Sequence, residues 1–130
     1  MRVLLDTQSW LWLQDERMAR FSRRTLKLLN QPSTERLLSL ASIWELSIKF
    51  SIGKLRLPDA PERYVVARLE TSMTRPLDIE LRHVLHVAQL PMHHRDPFDR
   101  LLVAQAVLDR LSVLSADRRL ALYGIDLLPL

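Results

Sequence analysis

The chain has no cysteine. No disulfide can form, a reducing cytoplasm suits it, and thiol enzymes are excluded. Glycine is nearly absent too, with only Gly53 and Gly124. Neither lies in a Gly-x-x-x-x-Gly-Lys phosphate loop or a Gly-x-Ser-x-Gly elbow, which removes P-loop NTPases and α/β-hydrolases. No apolar run approaches the roughly 20 residues of a membrane span, so no membrane is expected as a partner. The start, Met1 to Asp6, places an acid too early for a signal peptide. There is no repeat, low-complexity tract or linker, and the expectation is one domain over residues 1–130. Lysine is scarce, with three residues (Lys27, Lys49, Lys54) among 19 basic ones.

What is present suits a globular fold with a real core: 130 residues, 48% apolar and 26% charged. The formal charge is +4. The other 16 basic residues are Arg, whose fork binds phosphates and carboxylates in bidentate fashion. A GC-rich genome would also favour Arg over Lys, but the basic balance itself still suits a nucleic acid or an acidic protein partner.

Short apolar runs alternate with helical patterns. Strands are expected at Arg2 to Asp6, Arg36 to Leu40, Arg75 to Ile79, Ser112 to Ser115 and Ile125 to Leu128. Helices are expected at Thr7 to Leu13, Ser22 to Asn30, Ser42 to Ile52 (stopped by Gly53), Pro61 to Met73, Glu80 to Leu90 and Pro97 to Arg110. A polar loop spans Pro91 to Asp96, and a short helix lies near Arg118 to Tyr123. This alternation predicts an α/β fold with a parallel sheet and helices on both faces.

Four acids stand at informative places in this pattern. Asp6 ends the first apolar run. Glu45 lies one turn into the helix expected from Ser42. Asp99 opens the most apolar helix, and Asp117 follows the run Leu111 to Leu114. Carboxylates at strand ends, or in the first turn of the next helix, point at one crevice of an open α/β sheet. Such hard oxygen ligands suit Mg²⁺ or Mn²⁺, which implies phosphoryl chemistry.

Each acid also has a local explanation. Ser42 and Glu45 read as a capping box, with Glu45 able to pair with Lys49. Asp96 before Pro97 reads as an N-cap, which puts Asp99 at the third helical position. Asp117 and Asp6 could cap the turns that follow them. Capping alone does not require both Asp96 and Asp99 at one helix start; Asp96 is the better cap and leaves Asp99 spare. His83 and His86 could share a helix face, but no third ligand has a zinc-like spacing, and the four histidines read as surface or loop residues. His93, His94 and Arg95 either contact substrate phosphate or fill a polar loop. Trp44 suits core or interface, with base stacking as the alternative.

Three segments together resemble the PIN-domain family: Leu4 to Thr7, Ala41 to Leu46, and His94 to Ala106 with its Arg-Asp-Pro-Phe-Asp-Arg motif. The segment Leu114 to Leu120 is similar to the family's last acidic motif, with Ser115 where many relatives carry Thr. Within the family the chain looks like a VapC-type toxin ribonuclease of a bacterial toxin–antitoxin pair. The resemblance implies an α/β/α sandwich around a parallel sheet of about five strands. It implies an acidic Mg²⁺ (or Mn²⁺) site of Asp6, Glu45, Asp99 and Asp117, with Asp6 and Asp99 matching the most direct ligands and Asp117 the more variable position. It further implies an endoribonuclease whose product carries a 5′-phosphate, a homodimer, and a cognate antitoxin. The alternative is a PIN-like module that binds RNA or protein without cutting. A haloacid-dehalogenase-type phosphatase needs a second Asp at position 8, where Gln8 stands, and a receiver domain needs an acidic pair near the first strand and a middle-strand Asp that are not apparent.

Overall fold

The computed structural model describes residues 1–15 and 20–130. Its centre is β1 (Arg2–Leu5), where Val3, Leu4 and Leu5 are all buried. A strand buried on both faces reads as an unbroken apolar run, and β1 needs a parallel neighbour on each side. It has them in β2 (Glu35–Ser39) and β4 (Ser112–Leu114), with Leu5 opposite Leu38 on one side and Leu114 on the other. β3 (Thr74–Leu77) and β5 (Leu127–Leu128) complete a five-stranded, all-parallel sheet in the order β3-β2-β1-β4-β5. Pro76 is tolerated in β3 because an edge strand pairs on one side only.

The strand period of two sorts the core into two layers. Val3, Leu5, Leu38 and Leu114 face one way, against Trp10, Leu11, Leu29, Leu46 and Val65. Those side chains come from α1 (Thr7–Gln14), α2 (Arg23–Leu29), α3 (Leu40–Ser51) and α4 (Pro61–Thr71). Leu4, Leu37 and Val113 face the other way, against Leu102, Val103 and Ala106 of α6 (Pro97–Asp109). α5 (Leu81–His86) packs on α6. The result is an α/β/α sandwich, as the alternating pattern implied.

Two local expectations are corrected. α3 begins at Leu40, directly after β2, with Ser39 as its cap: Ser39 Oγ accepts from the Ala41 amide at 3.0 Å. Ser42 is therefore inside the helix and buried, and Ser42 with Glu45 is not a capping box. The helix expected from Glu80 to Leu90 is α-helical only to His86 and tightens into a 3-10 turn at Val87–Gln89. Pro91 has no amide hydrogen to continue the ladder. The carbonyls of Val87, Leu90 and Pro91 accept from the buried Arg100 guanidinium, at 2.9, 3.3 and 2.9 Å. At the other end of α3, Gly53 takes φ +74° and closes the helix as expected.

Candidate metal centre

β1 is where the chain reverses direction across the sheet, with β2 on one side and β4 on the other. Side chains just beyond the strands' carboxyl ends converge outside such a switch point. Asp6 follows β1, Ser115 and Asp117 follow β4, and Glu45 lies on α3, which leaves the end of β2. Asp99 enters from the first turn of α6. All four expected acids line one cavity of about 520 Å³, together with Asp96, Lys49 and Lys54.

Asp6 is held from both sides. Its Oδ1 accepts from the Ser9 amide at 2.8 Å, the expected cap, and its Oδ2 accepts from the Ser115 hydroxyl. The same hydroxyl accepts from the Asp117 amide at 3.0 Å, so Ser115 couples the ends of two strands. Burial raises the Asp6 pKa above the ordinary value; the hydrogen bonds from Ser115 and Ser9 oppose this, and the nearby Glu45 charge adds to it. Glu45 accepts from the Thr7 hydroxyl at 2.6 Å and pairs with Lys49 at 3.1 Å, the expected i,i+4 partner.

Asp96 caps α6, accepting from the Phe98 amide at 2.8 Å, with Pro97 in the first turn. Asp99 is thereby left free of capping duty, and its carboxylate accepts no hydrogen bond from the described residues. It is half-buried among carboxylates. Its pKa is pushed up to about 6, first by burial and then by Asp96, with smaller contributions from Glu45 and Asp117 and an opposing one from His94. Asp117 differs. Burial acts to raise its pKa, but hydrogen bonds from Arg119 and His94 outweigh that and hold it below the ordinary value. It also caps the Arg118–Tyr123 turn, accepting from the Arg119 amide at 3.0 Å.

His94, which the sequence left between a substrate contact and a polar loop, takes a different role. It is buried, not a surface residue, with Nε2 at 2.8 Å from Asp117 Oδ2 and Nδ1 at 3.0 Å from the Tyr123 hydroxyl. An Nε2–H that donates to Asp117 and an Nδ1 that accepts from Tyr123 satisfy both contacts. One atom each of His94, Asp99 and Asp117 lie within 4.8 Å of one another, but both ring nitrogens of His94 are engaged, so it positions Asp117 and leaves ligation to the carboxylates. Its adjacency to Arg95-Asp96-Pro97 is the one signal that pointed toward it.

Buried His83 is likewise not a surface residue, but it is structural. Its Nδ1 accepts from the Glu80 amide at 2.9 Å and its Nε2 contacts Asp109 at 3.0 Å, tying α5 to the far end of α6. Both ring nitrogens are used, so His83 has no electron pair to offer a metal. Trp44 is exposed, with its ring edge-on to Phe98 at 5.2 Å, and so is not a core residue.

The donor set fits a hard divalent cation. It is rich in carboxylate oxygens, and Asp99, raised in pKa by burial and then by its like-charged neighbours, is a group that a cation would relieve.

Fold and acidic centre define a class of protein, and the chain belongs to the PIN domain family, whose model matches residues 3–125. It is 40% identical over 50 residues to Ribonuclease VapC16 of Mycobacterium tuberculosis; the matched stretch covers 38% of this chain and 36% of that protein, about a third of its length. Among solved structures it is similar to VapBC2 from Rickettsia felis bound to a DNA fragment from their promoter, with TM-score 0.75, 12% identity, and 99% and 98% of the two chains covered. It is also similar to VapBC-1 from nontypeable Haemophilus influenzae, with TM-score 0.69, 17% identity, and 99% and 98% covered. At these identities the two structures share the fold.

Proposed function

We propose that this PIN domain, a single domain over residues 1–130, is an Mg²⁺- or Mn²⁺-dependent endoribonuclease, the VapC-type toxin of a toxin–antitoxin pair acting in the cytoplasm. The observation that carries the reading is the convergence of Asp6, Glu45, Asp99 and Asp117 on one cavity at the switch point of the sheet. The ribonuclease named for the relative and the family match support it.

When bound, the ion supplies charge neutralisation at the phosphodiester and acidifies a water. Asp6 and Asp99 hold it directly in this reading. Ser9 and Ser115 fix the orientation of Asp6, and Thr7 and Lys49 fix that of Glu45. His94 and Arg119 fix Asp117 and keep it ionised, which suits the outlying member of the set. Hydrolysis leaves a 5′-phosphate and a 3′-hydroxyl. The test is cleavage of RNA by purified protein. Asp6→Asn and Asp99→Asn each lower the rate by orders of magnitude with the fold intact, because an amide is a neutral, weaker ligand. Full activity in either variant, or of the wild type in excess EDTA, refutes the reading and favours a non-catalytic binding module.

The partners follow from surface chemistry. Trp44, Ile48 and Ile52 on and beside α3, and Leu81, Val84 and Leu85 on α5, are large apolar side chains left exposed. Apolar surface of this kind marks interfaces. A homodimer and a cognate antitoxin would cover it, the antitoxin's acidic residues meeting the Arg-rich surface and a basic side chain entering the acidic cavity. Light scattering should find a dimer, and coexpression should give a soluble complex with suppressed nuclease activity. A monomer unaffected by its antitoxin would remove this part.

A further inference from the structure

A second cavity, of about 500 Å³, meets the acidic one at Asp96 and Asp99, which line both. Its other walls are chemically different. They carry Met92, His93, Arg95 and Arg119, from the loop before α6 and the turn after β4. We infer that this cavity seats the nucleotide next to the scissile phosphate of a single-stranded RNA, with Arg95 on its phosphate and His93 against its base. The inference rests on the nuclease reading above and extends it to substrate binding.

Three observations support it. First, Arg95 is exposed beside Asp96 and Asp99, yet it forms no hydrogen bond or ion pair with any described residue. A guanidinium left open beside an anion-processing site is available for a phosphate, which it can grip with two parallel N–H bonds.

Second, the loop is built rigid although its outer side chains are exposed. Arg100 holds it from below through the carbonyls of Val87, Leu90 and Pro91. Buried His94 holds it from the side, through Asp117 and Tyr123. His93 and Arg95, flanking His94, are therefore presented on fixed backbone, and binding them to a ligand costs little further backbone ordering. His93 packs edge-on against Tyr123, with ring centroids 4.9 Å apart. Its ring is thus oriented by contact while the residue stays exposed, as a stacking platform requires. Exposed Met92 adds an adaptable apolar wall beside it.

Third, cations stand on both sides of the carboxylates. Lys54 lines the acidic cavity and, like that of Arg95, its side chain has no hydrogen-bond or ion-pair partner among the described residues. A strand running from Lys54 to Arg95 crosses Asp99. Its flanking phosphates would meet positive charge while the scissile phosphate lies over the metal centre, the pattern of a backbone-tracking groove.

The experiment is fluorescence anisotropy with a labelled single-stranded oligoribonucleotide of about eight nucleotides, in Mg²⁺, on Asp6→Asn to suppress cleavage. Adding His93→Ala and Arg95→Ala should weaken binding by about tenfold. It should also flatten the dependence of log K on log salt by about 0.7, the loss of one phosphate contact on a single strand. Thermal melting should not move, because both side chains are exposed. Arg95→Lys in place of Arg95→Ala should restore the salt slope. In the wild-type background, His93→Ala with Arg95→Ala should change the pattern of cleavage sites. If wild type cuts RNA while the added substitutions change neither affinity nor slope, this inference falls and the nuclease reading stands. A wild type that neither cuts nor binds the probe removes both.

Discussion

Replacing Asp99 by Asn should abolish nuclease activity and, in the absence of metal, make the protein more stable at neutral pH. The carboxyl of Asp99 is displaced from 3.8 to about 6 by burial and by Asp96. Between those two values the folded state keeps a proton that the unfolded chain has lost. Stability therefore falls as pH rises from about 4 to about 6 and stays low above that range. Such a displacement is worth roughly 3 kcal/mol in a fully buried group. Asp99 is only half-buried, and solvent screening about halves the effect. Its place in the first turn of α6 favours the ionised form by about 0.5 kcal/mol. About 1 kcal/mol remains, or about 3–5 °C in Tm for a domain of this size. Asn is neutral throughout and escapes the loss. Melting in EDTA at neutral pH should thus place Asp99→Asn above wild type, and the gap should close near pH 4, where the wild-type carboxyl is also neutral. Excess Mg²⁺ should reverse the order, because binding to the folded state raises the Tm of wild type more than that of the variant. The reasoning is wrong if Asp99→Asn is the less stable protein in EDTA at neutral pH, or if the gap is the same at pH 4.

Three further substitutions separate structure from chemistry. Asp96→Ala should lower stability by about 1 kcal/mol through the lost cap on α6; urea denaturation reads this, and unchanged stability with lost activity would make Asp96 the ligand in place of Asp99. Asp109→Ala strands the buried His83 ring nitrogen and should lower the urea midpoint by an amount worth about 2 kcal/mol. RNA cleavage should be unaffected, since Asp109 lies about 15 Å along α6 from Asp99. Arg100→Met removes the donor that holds three loop carbonyls, so amide exchange around Val87 to Arg95 should accelerate; unchanged protection there would show that Pro91 and His94 suffice.

Much of this protein is legible locally. A strand buried on both faces must be apolar without interruption, so β1 and β4 stand out as Val3 to Leu5 and Val113 to Leu114. The start of α6 is equally plain, because Asp96 and Pro97 are suited to a cap and a first turn and to little else. Gly53 marks the end of α3 since the closing turn needs a positive φ. Asp6, Asp99 and Asp117 stand out for the same reason, since each sits at an element end, whereas Glu45 lies in the middle of α3 and its apparent place near a helix start came from taking Ser42 as the cap.

Which serine caps α3 was not legible. Ser39 and Ser42 are both good caps, and the choice falls to Ser39 because β2 pairs through Ser39 with Leu77 and the helix then starts with no loop between. That register is a property of the sheet. The same holds for the hydroxyl of Ser115 on Asp6, 109 residues apart, and for His94 on Asp117, 23 apart. No periodicity connects such pairs; only the parallel sheet brings the strand ends together. The elevation of Asp99 belongs to this level as well, because desolvation and like-charge repulsion exist only once the chain has closed around them.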